Sequence, residues 1–372
     1  MVLAPALAMM LWHGGFRAPA QIAIAVVAVL GLGLFGGAWG RSPLLVGLML
    51  AAAANLASLA AHRDRGSIAP TLAALALPTL VAVALPAGRR LLTELPLTVA
   101  LLGATVATAG LGGLALQVHP LAERIAGVWR AQGTLEYPPA LGLLCVCALA
   151  ATLALHASGT LDRTSTALVA SILVAASIAT FDRVAWIETA AVLVLFAARI
   201  PRLRRTAGLA VGIAAAIGLV ALAVAHPSRA ALERHLRHGP ISSRSDVWHA
   251  SWDAFRDRPL LGYGPGQFRK IYDTPRFRVL GTGTGRIGLA HDAVLEQGVE
   301  AGAVAAAGTA MALLAMLAAG ASALRSRDPA RLAAGVAAVA VALSGLYDIT
   351  WSFAPLLLLG AVSAVACREP SA

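Results

Sequence analysis

About a dozen apolar segments, many of them close to the roughly 20 residues a helix needs to cross a bilayer, follow one another with mostly short, Arg-bearing linkers between them. That succession constrains the fold more than any motif does. In hydrocarbon each backbone N–H and C=O must be bonded internally, so only helices and closed barrels can span. Continuous apolar runs without strict alternation are helices. Composition agrees: 59% of the 372 residues are hydrophobic and 13% are charged, against about half and about a quarter in a soluble domain. The chain is expected to be an all-α, polytopic transmembrane helical bundle, and too little sequence remains for a separate soluble enzyme domain.

The segments run over 2–12, 21–40, 44–60, 68–88, 91–116, 139–157, 166–180, 186–200, 206–225, 301–324, 332–350 and 353–367. They divide the chain into an N-terminal bundle of about nine spans over 1–225, a long polar loop over 226–300, and about three spans over 301–372. The first segment lacks the basic start and cleavage site of a signal peptide and is read as a span. Pro70, Pro78 and Pro96 predict kinks rather than breaks, because neighbouring helices satisfy the freed backbone groups in a bundle.

Alternate loops divide the arginines unequally. Arg41, Arg89, Arg90, Arg163, Arg199, Arg202, Arg204, Arg205, Arg325, Arg327, Arg331 and Arg368 fall on one side; Arg17, Arg63, Arg65, Arg124, Arg130 and Arg183 fall on the other. The positive-inside bias puts the first set and both termini in the cytoplasm. The 117–138, 181–185 and 226–300 loops are then outside. A net charge of +11 would suggest nucleic acid in a soluble chain, but arginines scattered between spans are topology signals and anion-binding groups, so no nucleic-acid partner is expected. Cys145, Cys147 and Cys367 sit in or at the end of apolar segments and form no disulfide or zinc pattern.

The 226–300 segment holds 11 of the 29 basic residues, 8 of the 18 acids and 5 of the 9 histidines, so chemistry is sought there. Trp248, Trp252 and Phe255 recur at helical spacing beside Asp246, Asp253 and Asp257, the pattern of an amphipathic helix at a membrane surface. PLLGYGPGQF then reads as a turn. The run SSRSDVWHASWDAFRDRPLLGYGPGQFRKIY, followed by HDAVLEQGVEAG, resembles the O-antigen ligase and polymerase family, with Arg244, Trp248, Pro259, Gly262, Gly264, Phe268, His291, Leu295, Glu300 and Gly302 matching its motif in order. GTLEYPPALG at 133–142 and ATFDRVAW at 179–186 extend the likeness upstream more weakly. Asp292 stands where Asn is usual, Pro139 where Asn is common and Asp182 where Ser is frequent.

The resemblance implies a GT-C-like bundle in a bacterial cytoplasmic (inner) membrane, with an extracytoplasmic (periplasmic) loop carrying the active site. It also implies transfer of a glycan from an undecaprenyl-diphosphate-linked donor to a lipid or glycan acceptor hydroxyl, with inversion and without metal or cofactor. Guanidinium groups suit a diphosphate by planar bidentate geometry and permanent charge, which makes Arg183 and Arg244 the candidate donor-binding pair. His291 is the base the resemblance implies, since a near-neutral imidazole can remove a hydroxyl proton. Asp292, Glu296 and Glu300 follow at four-residue spacing and are candidate supporting carboxylates, either for the imidazole or for acceptor hydroxyls, or else simply a solvated helix face.

Other chemistries fit less well. HDAVLE lacks the two-His spacing of a zinc helix, and His235, His238 and His249 add no ligand set. GYGPG and GTGTG do not join a strand to a helix and read as flexible turns. A Wzy-like polysaccharide polymerase remains a close alternative, and a transporter or flippase is the alternative from another class, although no internal repeat is visible.

Overall fold

The computed structural model describes residues 3–38, 42–125, 127–205, 208, 212–213, 244–268 and 289–368. Most of the expected 206–225 span, the GTGTG turn at 281–285, His235, His238 and the rest of the 226–243 and 269–288 stretches lie outside the described residues. The described chain is α-helical apart from one short hairpin, β1 (Ala122–Ile125) paired antiparallel with β2 (Val128–Ala131).

The chain opens with α1 (Leu3–Ala8), then two 3-10 turns over Met9–Leu11 and His13–Gly15. The expected first span is thus an irregular strip, not a continuous helix. Gly14 and Gly15 both have positive φ, and a Cβ on Gly15 would lie 2.6 Å from Pro355, so close packing dictates the turn. The strip still runs between the two ends of the bundle. Leu3 shares a cavity of about 440 Å³ with Ala84, Arg90 and Glu94, whereas His13 bonds Glu136 at the far end.

Helices long and apolar enough to cross a membrane are α2 (Ala18–Phe35), α3 (Pro43–His62), the stretch Arg65–Leu116, α6 (Pro138–Ala157) and α11 (Ala303–Ala323). Straight, the 52 residues of Arg65–Leu116 would reach about 78 Å. A 3-10 turn at Leu85–Ala87 divides them into α4 (Ile68–Ala84) and α5 (Gly88–Leu116). Shorter helices complete the bundle: α7 (Arg163–Ala179), α8 (Arg183–Arg199), α9 (Ser245–Asp257), α10 (Ala293–Ala301), α12 (Pro329–Ser344) and α13 (Ala354–Ala366). This is an all-α polytopic membrane architecture.

Small residues set the packing, as they do where helices in lipid gain mainly from close approach. A Cβ on Gly47 of α3 would lie 2.6 Å from the Gly308 carbonyl of α11, and the reverse substitution would meet the Gly47 carbonyl at the same distance. α6 and α13 are almost wholly buried and form the centre. α2 and α8 stay on the rim, with Leu34 75% and Ile187 70% exposed.

Four arginines of the larger set gather at one end of the bundle. Arg202 bonds the Ala157 carbonyl, Arg331 the Cys367 carbonyl and Arg368 the Ser42 hydroxyl, while Arg89 lines a cavity with Asp328; all belong to one end. The hairpin, α9 and α10 gather at the other, called the hairpin end below. One boundary differs from expectation. The 332–350 segment leaves the helix at Ser344, where the Ser344 and Thr350 hydroxyls bond each other at 2.7 Å and Asp348 caps a 3-10 turn over Ile349–Ser352. Asp348 therefore ends up in a loop at the hairpin end.

Candidate active site

The Trp-containing helix and the glycine turn form a platform. α9 buries Val247, Ser251 and Ala254 at i, i+4 and i+7, and Val247 and Ala254 join Phe268, Ala290 and Val299 in one apolar cluster. The inward seam is displaced from the aromatic stripe read in the sequence: Trp252 is 49% exposed and tilts against Phe255 with ring centroids 5.5 Å apart. The 259–264 turn docks on the junction of α10 and α11. Tyr263 N donates to Val299 O and Gly264 N to Glu300 O, each at 2.9 Å, and Ala303 N donates to Pro259 O at 2.7 Å. A Cβ on Gly262 would fall 2.4 Å from the Glu300 backbone and one on Gly302 would fall 2.1 Å from Leu260 O. The P-x-x-G-x-G and E-x-G patterns are therefore two halves of one contact.

Arg244 precedes α9 and reaches across to the 345–352 loop. Its guanidinium donates to the Tyr347 carbonyl and, at 3.0 Å, to Asp348 Oδ2. Asp348 is 3% exposed. Its other oxygen accepts from the Tyr137 hydroxyl and from Ile349 N, both at 2.6 Å. Burial, then the adjacent Asp348 carboxylate, push the Tyr137 phenol upward, so it stays protonated and donates. Tyr137 also stacks on Phe353 at 5.9 Å, and the preceding Glu136 is bonded by His13 and by Arg17 at 2.7 Å.

Arg183 opens α8 behind Asp182, whose carboxylate caps the helix by accepting from Val184 N at 3.1 Å. Burial raises the Asp182 carboxyl, with Asp348 adding to the rise and Arg244 opposing it, so these groups share one electrostatic neighbourhood. Arg130 of β2 joins it: burial lowers its guanidinium, Asp182 and Tyr137 raise it, and Arg183 lowers it. The Tyr347 hydroxyl turns to Glu188 of α8 at 3.4 Å.

His291 belongs to a bend tied to the 345–352 loop by the Ala293 N to Gly345 O bond and lies within electrostatic range of Arg244 and Asp348; its left-handed backbone (φ 56°) is costly for a non-glycine residue. Its neighbours hold that turn: Ala290 N donates to Glu296 Oε2 at 3.2 Å, and Ala293 N to Gly345 O at 2.8 Å. Burial lowers the imidazole pKa; Asp348 works against this and Arg244 with it. Among the described residues Nδ1 is enclosed without a hydrogen-bond partner, as is the indole nitrogen of Trp248, one turn along α9 from Arg244. Buried polar atoms normally find partners, so these two nitrogens are candidates to face a ligand.

Of the candidate carboxylates, Asp292 caps α10 through Leu295 N at 2.8 Å. Glu296 also accepts from Ser352 Oγ at 3.0 Å, and Glu300 accepts from Phe268 N at 3.2 Å. Both glutamates are buried, which raises their carboxyl pKa values, and neither forms a solvated face. Their bonds go to backbone and serine, not to the imidazole. Sequence reasoning missed Asp348, Tyr137 and Tyr347 as members of the site. A single acid inside the otherwise apolar 332–350 segment was the available signal. Among the described residues no three His, Cys, Asp or Glu side chains are grouped to hold a metal ion.

Fold and site together define a polytopic α-helical membrane protein with a polar, arginine-containing site at one end of the bundle. Residues 168–310 match the family model described as O-antigen ligase. That segment, which contains Arg183, Arg244, Trp248, the 259–264 turn and His291, is similar to the O-antigen ligase family, a likeness that points to membrane glycan transfer. A comparison with curated proteins finds no match.

Proposed function

We propose that the protein transfers a glycan from an undecaprenyl-diphosphate-linked donor to an acceptor hydroxyl, at the hairpin end of the bundle and outside the cytoplasmic membrane. The observation that carries this reading is the Arg244–Asp348 bond joining two distant segments, with the His291 bend bonded to the Asp348 loop and with His291 and Arg183 in the same electrostatic neighbourhood. Arg-rich loops at the opposite end support the orientation.

Asp348 and the Tyr347 carbonyl each take one bond from Arg244, leaving about three of its five N–H donors for phosphate oxygens. Arg183 supplies the second cation. Together they stabilise the negative charge that grows on the diphosphate as the bond from the anomeric carbon to the phosphate oxygen breaks. His291, kept neutral at pH 7 by burial, takes the proton of the acceptor hydroxyl as its oxygen bonds to that carbon from the opposite face, inverting it. No step requires a metal. A polymerase would run the same chemistry with a second lipid-linked glycan as acceptor.

Proteoliposomes given labelled lipid-linked glycan and an acceptor test the proposal. Labelled acceptor with stoichiometric release of undecaprenyl diphosphate is expected. Movement of the intact donor across the bilayer without transfer would mean a flippase instead.

A further inference from the structure

The two loops that make the candidate site are not joined in sequence, and one side chain ties them. Glu296 accepts from Ala290 N with Oε2 and from Ser352 Oγ with Oε1. Ala290 immediately precedes His291; Ser352 ends the turn that Asp348 caps. The same two loops meet again where Ala293 N donates to Gly345 O. His291 is thus clamped on both sides in a left-handed conformation that persists only where the surroundings over-determine it. Ala290 is fully buried, so without Glu296 its N–H has no solvent to turn to.

We infer that Glu296 is a positioning residue for transfer: it sets the imidazole of His291 against the Arg244–Asp348 pair by locking the 289–292 bend to the 345–352 loop. The inference rests on the glycan-transfer reading above. Glu296 touches neither donor nor acceptor in this role, so its loss should reach turnover while sparing donor affinity. A displacement of about 1 Å at a reacting group costs on the order of 10²-fold. Gln keeps an acceptor for Ala290 N and can donate to Ser352 Oγ, so the clamp survives Glu296→Gln.

The test uses full-length protein in proteoliposomes, with single-turnover transfer and binding of the undecaprenyl-diphosphate glycan measured separately, each per folded molecule. Glu296→Ala is expected to slow transfer on the order of 10²-fold with donor Kd changed by less than about threefold, and Glu296→Gln to restore most of the rate. Ser352→Ala, which removes one bond and guards against misfolding of Glu296→Ala, is expected to slow transfer about fivefold, the ratio carried by one ordinary hydrogen bond. Near-normal transfer by Glu296→Ala would overturn the inference. So would a Gln variant as slow as Ala, or a loss that appears equally in donor binding. His291→Asn separates the two levels. If it is inactive while Glu296→Ala is active, only the positioning role fails; if it is fully active, the base assignment itself falls.

Discussion

Tyr137→Phe probes the least obvious part of the site. The substitution removes one oxygen, keeps the ring stacked on Phe353 at 5.9 Å, and leaves Asp348 its bonds from Arg244 and Ile349 N. What disappears is the 2.6 Å bond from the phenol to Asp348 Oδ1. Hydrogen bonds to a charged partner contribute about 1.5–3 kcal/mol net. Because Asp348 retains other donors, the lower figure applies, and about 1.5 kcal/mol corresponds to roughly a tenfold change in an equilibrium. Asp348 orients Arg244, so we expect donor Kd to rise between about threefold and tenfold, with a small fall in the thermal midpoint. Donor binding to purified protein, alongside thermal unfolding in the same detergent, measures both. An unchanged donor Kd together with an unchanged midpoint would refute the claim that this hydrogen bond supports the arginine.

Further outcomes follow from the same geometry. Arg244→Lys should lose most donor affinity although charge is kept, because an ammonium cannot bond Asp348 and the Tyr347 carbonyl and still present a planar fork to phosphate; titration with labelled donor checks it. Trp248→Phe keeps an aromatic ring but removes the indole N–H, which has no partner among the described residues, and should weaken donor or acceptor binding without lowering the thermal midpoint. Burial lowers the His291 pKa, so the acid limb of the transfer rate should lie below the ordinary imidazole value of about 6.5. Asp348→Asn removes the carboxylate that raises it, and a pH–rate profile should show the limb moving lower still. Gly308→Val places a branched side chain where even a Cβ would meet the Gly47 carbonyl at 2.6 Å. It should cost about 1–3 kcal/mol or more in stability, read as a lower midpoint.

The buried glutamates give stability a pH dependence of definite sign. Burial raises the folded-state pKa of Glu296 and Glu300 above the unfolded carboxylate value. Their contribution is therefore fully present below the unfolded pKa and is lost as pH rises through the raised folded values. The thermal midpoint should fall as the medium is taken from mildly acidic to alkaline, and Glu296→Gln should flatten that fall.

The bundle was legible because apolar length and loop arginines are local signals. Arg183, Arg244 and His291 were singled out as candidates by residue type and by the family resemblance, and all three lie at the hairpin end. Their partners were not. Arg244 and Asp348 are 104 residues apart and Tyr137 and Asp348 are 211 apart, and no local periodicity reports which distant loops meet. Asp348 was also concealed by the assignment of 332–350 to a span, which Gly345 and the capped turn interrupt. Glu296 and Glu300 share a helix face as their spacing requires, yet that face is buried and bonds backbone. The direction a helix faces depends on what covers it. α9 illustrates the same limit: its aromatic residues have helical spacing, but the smaller Val247, Ser251 and Ala254 form the seam.

The base role of His291 is tested by single-turnover transfer in His291→Asn, since Asn tolerates the left-handed backbone at this position, with donor binding followed on the same preparation. General-base assistance contributes about 10²- to 10⁴-fold. Donor affinity is expected to stay within about threefold of the parent protein, with transfer reduced by a factor in that range. Transfer at the parental rate by well-folded His291→Asn, with the lipid-linked donor still bound, would contradict that role.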